Sequence, residues 1–183
     1  MKSSWARPNP SDADVTALNR INNLAGVPVV LAYLDQSYLP AFCHISAKHQ
    51  ATIKGGRRVH GWSYWRLTDL DEVSGQSNHL MMAEHHSVWE TESGELIDVT
   101  PPRYGGNTTL FLRDDAAIIV CTLGEIPVRT NLADLQSGVF LRDAQPVSYS
   151  SYLLSEADAG RAWQYAEELG FDMTNYATDQ QRG

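Results

Sequence analysis

The chain has 183 residues, 43% of them hydrophobic, with a formal charge of −8 and two cysteines. That length can bury a sizeable core without disulfide or metal staples, and the composition excludes a disordered chain. The acidic balance, with lysine only at Lys2, Lys48 and Lys54, argues against a nucleic-acid partner, which needs clustered cations to displace counterions.

Residues 1–10 read as a polar, extended lead-in without an apolar run of signal-peptide length. No segment approaches the roughly 20 apolar residues of a membrane span, so a soluble, cytoplasmic protein with no membrane partner is expected. Two cysteines are too few for a secreted disulfide framework. Ser11 or Asp12 is placed to cap a helix over residues 12–25, where Val15, Leu18, Ile21 and Leu24 form one apolar stripe and Gly26 with Pro28 supplies the stop. The β-branched run 29–34 reads as a buried strand or a helical turn, because periodicity cannot separate the two in so short a segment. Pro40 suits a first helical turn and Gly55-Gly56 marks the far end of a second helix, which carries Cys43 in its first turn.

Residues 57–68 alternate as a strand, with Val59, Gly61, Ser63 and Trp65 on one face and His60, Trp62, Tyr64 and Arg66 on the other. The pair Arg57-Arg58 reads as a solvated strand start. A polar loop over 69–78 leads to a strand over 79–91, a turn at Glu92-Ser93-Gly94, and a return strand over 95–100 that Pro101-Pro102 stop. Further strands are predicted at 108–112 and 116–122, a short helix at 131–136, and a long helix at 155–168 ended by Gly170. The tail from Asn175 is expected to fray. The whole chain, 1–183, reads as a single domain of α+β class with an antiparallel sheet.

A cysteine in a first helical turn lies near unpaired backbone N–H groups and the positive end of the helix dipole, and both favour thiolate. The alternative for Cys43 is a small buried hydrophobe, which is the reading for Cys121 at the end of an apolar strand. A three-residue loop with Gly94 in the left-handed region pairs Thr91 with Glu95, and hence Val88 with Asp98. His86 then shares a face with Val88, and diagonal neighbours about 7–8 Å apart on a sheet allow an imidazole and a carboxylate to meet. Alternation sends His85 to the opposite face. Cys43, His86 and Asp98 therefore read as nucleophile, base and orienter.

The same divergence of adjacent side chains disfavours a zinc site made from Cys43, His44, His85 and His86. Zinc held by Cys43, His86 and Asp98 stays open on ligand type. Glu84 shares the His86 face, as a second acid, a substrate contact or a solvated carboxylate. Trp62, Trp65 and Trp89 either line an acyl or peptide pocket or pack in the core.

Cysteine at a helix start, then a strand with His86 and Trp89, then a strand with Asp98, Thr100 and Pro101, resembles the core of transglutaminase-like cysteine enzymes in the papain-like superfamily. The order of the three residues is also similar to that of arylamine N-acetyltransferases. Gly55-Gly56, Gly61-Trp62, Ala83-Glu84, Val88-Trp89, Gly94 and the run Ile97-Asp98-Val99-Thr100-Pro101 resemble a group of small bacterial proteins. The resemblance spans roughly residues 36–102. Trp89 stands three residues after His86 rather than two, no glycine-rich sequence surrounds Cys43, and His44 follows it directly.

The resemblance implies a papain-like or transglutaminase-like core with a nucleophile helix packed on an antiparallel sheet, flanked by N- and C-terminal helices. It also implies Gln36 as an oxyanion donor, although its spacing from Cys43 is seven rather than six. The expected function is a cysteine-dependent hydrolase or acyl/amide transferase of protease, deamidase or transglutaminase type. Its substrate would be a protein, a peptide or a small acyl or amide compound, with no cofactor. The alternatives are a non-catalytic binding or immunity-type protein on the same scaffold, or the zinc-binding protein above.

Overall fold

The computed structural model describes residues 3–21, 23–34, 37–70, 77–117, 128–134, 139–142, 145–146, 151–152 and 156–176. In chain order the elements are β1 (Ser3–Ala6), α1 (Ala13–Ile21), β2 (Val29–Ala32), α2 (Cys43–Lys54), β3 (Arg57–Leu70), β4 (Ser77–Glu90), β5 (Leu96–Ile97) and β6 (Thr108–Arg113). They continue with β7 (Val128–Asp134), β8 (Val139–Arg142), β9 (Gln145–Pro146), β10 (Ser151–Tyr152), α3 (Glu156–Glu168) and a 3-10 turn at Met173–Asn175. This is an α+β architecture on an antiparallel sheet, as expected.

The α1 stripe works as its spacing predicts, with Val15 and Leu18 buried against the sheet and the Asp12 carboxylate accepting from the Asp14 N–H (3.0 Å). The helix stops earlier than the glycine suggested. Asn23 takes φ +54°, and Leu24 N–H returns to the Asn19 carbonyl (2.9 Å), closing the end at an asparagine instead of at Gly26. At the other end of the chain, α3 ends as predicted, with Gly170 at φ +66° and Phe171 N–H on the Ala166 carbonyl (2.8 Å).

The centre of the fold is the long pairing of β3 with β4, which runs from Arg57↔Glu90 to Leu70↔Ser77. The second edge of β3 is shared by β6, opposite Gly61 to Ser63, and by β1, opposite Arg66 to Asp69. The second edge of β4 is shared by β7, opposite Leu80 to Glu84, and by β5, opposite Trp89 and Glu90. Neither covers residues 85–88 on that side. β2 pairs with β6 and bridges in parallel from Tyr33 to Asp98, so β2, β6, β3, β4 and β5 curl into a nearly closed barrel.

Alternation then assigns the faces. Leu31, Val59, Val88 and Phe111 pack together inside the barrel, while Trp62, Tyr64, Met81, Ala83, Leu110 and Leu112 face outward under α1. Helix α2 covers β3 and β4 elsewhere on the outer surface, and packs with α3 through Ile45, Ala47, Ala162, Tyr165 and Ala166. Gly61 lies where β3 and β6 cross most closely. A Cβ there would meet the Leu112 carbonyl oxygen at 2.1 Å and the Phe111 ring at 2.6 Å. Backbone cannot move aside as a side-chain tip can, so Gly61→Ala is expected to cost about 3 kcal/mol in urea unfolding, the upper end for overpacking.

Residues 131–134 belong to strand β7, not a short helix, because their pairing with β4 overrides a local composition that is weak for either state. Arg58 is not solvated: it is 4% exposed and donates to the His44 carbonyl (3.1 Å) and the Tyr176 carbonyl (2.7 Å), tying α2 to the end of the chain. For the same reason Tyr176 is buried rather than frayed. The strand expected at 116–122 does not include Ala116 and Ala117, which follow a turn at Asp114, and its remainder, with Cys121, lies outside the described residues. Among the described residues no helix is long and apolar enough to cross a membrane.

Candidate active site

Among the described residues no strand pairs with the second edge of β4 at 85–88, and this explains how a helix on the outside of the barrel reaches a histidine that points inside. Cys43 is the first residue of α2, after Pro40 and an Ala41 held at φ +71°. That turn delivers the thiol to the uncovered stretch 85–88, while the next residue, His44, grips the outer face through Ser87 (Nδ1 to Oγ, 2.6 Å). Cys43 and His86 line the same cavity, and the sulfur is near enough to the ring to raise its pKa. Cys43 is almost fully buried at the floor of a cavity of about 390 Å³.

His86 and Asp98 meet as the hairpin register predicts. Thr91 N–H bonds to the Glu95 carbonyl (2.9 Å), Gly94 sits at φ +86°, and Trp89 faces Ile97, which sets Val88 level with Asp98. The β5 ladder itself is shorter than the predicted strand, and Asp98 is held instead by its bridge to Tyr33, with Leu34 N–H on its carbonyl (2.9 Å). His86 Nε2–H donates to Asp98 Oδ2 (2.9 Å). The carboxylate is fully buried and also accepts from Thr109 Oγ1 (2.6 Å) and Thr100 N–H (3.0 Å). Three donors on one carboxylate satisfy it as an anion and fix its plane.

Burial pulls the His86 pKa down, but the charges of Asp98 and Cys43 and their hydrogen bonds outweigh it and hold the value well above the ordinary imidazole range. The protonated imidazolium, donating to Asp98, is the state this geometry favours. His44 behaves in the opposite way. Burial, then the neighbouring His85 and His60 and the guanidinium of Arg58, push its pKa well below the ordinary value, so it is a neutral packing group. His60 Nδ1 also reaches Ser87 Oγ (2.8 Å), and since one hydroxyl carries one proton, Ser87 donates to one of these imidazoles and accepts from the other.

The other predicted site residues separate. Glu84 and Trp65 line the cavity with Phe42, Thr100 and the Pro101-Pro102 segment. Trp62 does not: it faces outward under α1 and its indole N–H donates to Asp114 (2.8 Å). Trp89 does not either, since its indole N–H donates to the Gly55 carbonyl (2.9 Å) and joins the hairpin to the end of α2. Gln36 lies outside the described residues. His85 faces away from His86, packs on Trp62 (5.7 Å between rings) and bonds the Ala117 carbonyl (2.6 Å). Among the described residues no group of three His, Cys, Asp or Glu side chains is arranged to hold a metal ion. Thr109 and the arginines at the cavity mouth, Arg103 and Arg161, carried no local motif that would have singled them out.

No protein-family model matches the chain, and neither a curated protein nor a solved structure shows detectable similarity to it.

Proposed function

We propose that this chain is a cysteine-dependent hydrolase or acyl/amide transferase working through Cys43, His86 and Asp98 on a papain-like or transglutaminase-like core. The observation that carries the reading is the setting of the His86 ring: it shares a cavity with the Cys43 thiol, which raises its pKa, and its Nε2–H donates to a buried carboxylate that two further donors hold. A metal-ligand or packing role needs no such orientation; nucleophilic catalysis does.

In this mechanism the Cys43 sulfur attacks the carbonyl carbon of an amide or thioester, and the carbonyl π pair moves onto oxygen. The Cys43 backbone N–H, at the start of α2, is positioned to donate to that oxyanion. Collapse of the tetrahedral species expels the amine or thiol, which takes the proton from His86 and leaves an acyl-thioester on Cys43. Water or an acceptor amine then attacks the acyl carbon while the neutral His86 accepts its proton, and the sulfur leaves carrying its electron pair. Asp98 keeps the ring in register and supports its charged form throughout. The cavity accommodates a peptide segment or a small acyl compound. The test is the reactivity of Cys43 with iodoacetamide below pH 8: rapid alkylation supports the reading, and the sluggish reaction of an ordinary buried thiol overturns it.

A further inference from the structure

The chain carries eight net negative charges, whereas the described residues that line the Cys43 cavity bring more cationic than anionic groups. Among its described lining residues the fixed charges are two arginines, Arg103 and Arg161, against one carboxylate, Glu84. They come from separate parts of the fold: Arg103 follows Pro101-Pro102, and Arg161 projects from α3. Glu84 is mostly buried, at 17% side-chain exposure, and engages Arg103 (3.2 Å), whereas Arg103 is 51% exposed with its guanidinium over the Tyr104 ring (5.6 Å). Tyr104 in turn meets Trp65 edge-on (5.0 Å). Glu84 and the aromatic pair thus hold one guanidinium in place at the rim, above an apolar wall of Trp65 and the two prolines. A fixed guanidinium is suited to a carboxylate, which it can grip with two parallel N–H donors.

We infer that the cavity takes a carboxylate-bearing amide or thioester, with the anionic group bound between Arg103 and Arg161 while the carbonyl lies on Cys43. This rests on the thiol-enzyme reading above and names its substrate class. That carboxylate gives the acidic protein a way to draw in a ligand that the rest of its surface repels, because a cleft concentrates the field of the charges at its mouth.

The test compares two alkylating reagents of similar size, neutral iodoacetamide and anionic iodoacetate, with modification followed at the Cys43 peptide by mass spectrometry. In the wild-type protein the iodoacetate-to-iodoacetamide rate ratio should exceed that of a small neutral thiol such as 2-mercaptoethanol by about threefold or more, and should fall as salt is added. Arg161→Gln and Arg103→Gln should each lower the ratio by about threefold, the effect of one unit charge at roughly 7 Å through water. Arg161 is an exposed helix position, so its variant tests the idea even if Arg103→Gln, which breaks the Glu84 pair, fails to fold. Rapid reaction with both reagents and a ratio unmoved by either substitution overturns the substrate class and leaves the thiol enzyme standing. Slow reaction of Cys43 with both reagents overturns the thiol enzyme and this inference with it.

Discussion

Replacing His86 with alanine is expected to slow alkylation of Cys43 at pH 6 by about two orders of magnitude and to move its pH dependence up to that of an unassisted thiol, near 8.5. In the wild-type protein the His86 ring donates to the Asp98 carboxylate and shares a cavity with Cys43, and its pKa stands well above the ordinary value despite burial. The His86 ring therefore stays protonated through neutral pH. Without the ring the sulfur must lose its proton alone, and at pH 6 an ordinary thiol is ionised to only about 0.3%. A pH–rate profile with iodoacetamide measures this directly, and profiles that superimpose for the two proteins would sink the triad.

Stability should respond to pH through the same groups, with opposite signs. The raised His86 value stabilises the fold fully below the unfolded imidazole pKa, about 6.5, and that contribution is lost as pH rises through the folded value. The cost of His86→Ala should accordingly be greatest in mild acid. His44, held neutral, works the other way: as pH falls below about 6.5 the unfolded chain takes up a proton that the fold refuses, and stability drops. Urea unfolding at pH 5.5 and 8 separates the two histidines.

The hairpin was legible because its determinants are local. Gly94 fixes the loop, the loop fixes the register, and a period of two decides that His86 and not His85 meets Asp98. Cys43 was legible as a first-turn residue between Pro40 and Gly55-Gly56 for the same reason. What brings them together was not legible. Among the described residues the gap at 85–88 exists because β7 pairs with β4 only as far as Glu84 and β5 only from Trp89, and β7 comes from a distant part of the chain. Thr109 reaches Asp98 only because β2 pairs with β6 and bridges to Asp98 from its end. Arg58 was misplaced, and Trp62 was left open between pocket and core, for a related cause: each is a polar-tipped side chain whose partner, a carbonyl of Tyr176 or the carboxylate of Asp114, comes from a distant part of the chain. Composition cannot show whether such a tip finds water or a buried acceptor.

Asp98→Ala is expected to destabilise the fold by about 3–5 kcal/mol, the range for removing one partner of a buried ion pair. The carboxylate has no exposure, and its loss leaves the His86 ring, the Thr109 hydroxyl and the Thr100 N–H without their acceptor. Stability alone would not separate a structural aspartate from one that orients the base, so Asp98→Asn is the sharper variant. It keeps the shape but offers one oxygen where the carboxylate offers two, and it removes the negative charge that helps hold the His86 pKa up. Burial then acts against the imidazolium with less opposition, and the proton moves back toward sulfur. At pH 6 the alkylation rates of Cys43 should fall in the order wild type, Asp98→Asn, His86→Ala, with the asparagine profile displaced to higher pH. An Asp98→Asn protein that unfolds at lower urea yet alkylates at the wild-type rate at pH 6 would make Asp98 a strut of the barrel seam and remove it from the chemistry. The predicted order requires the carboxylate to act on the sulfur through the ring, which a packing role cannot do.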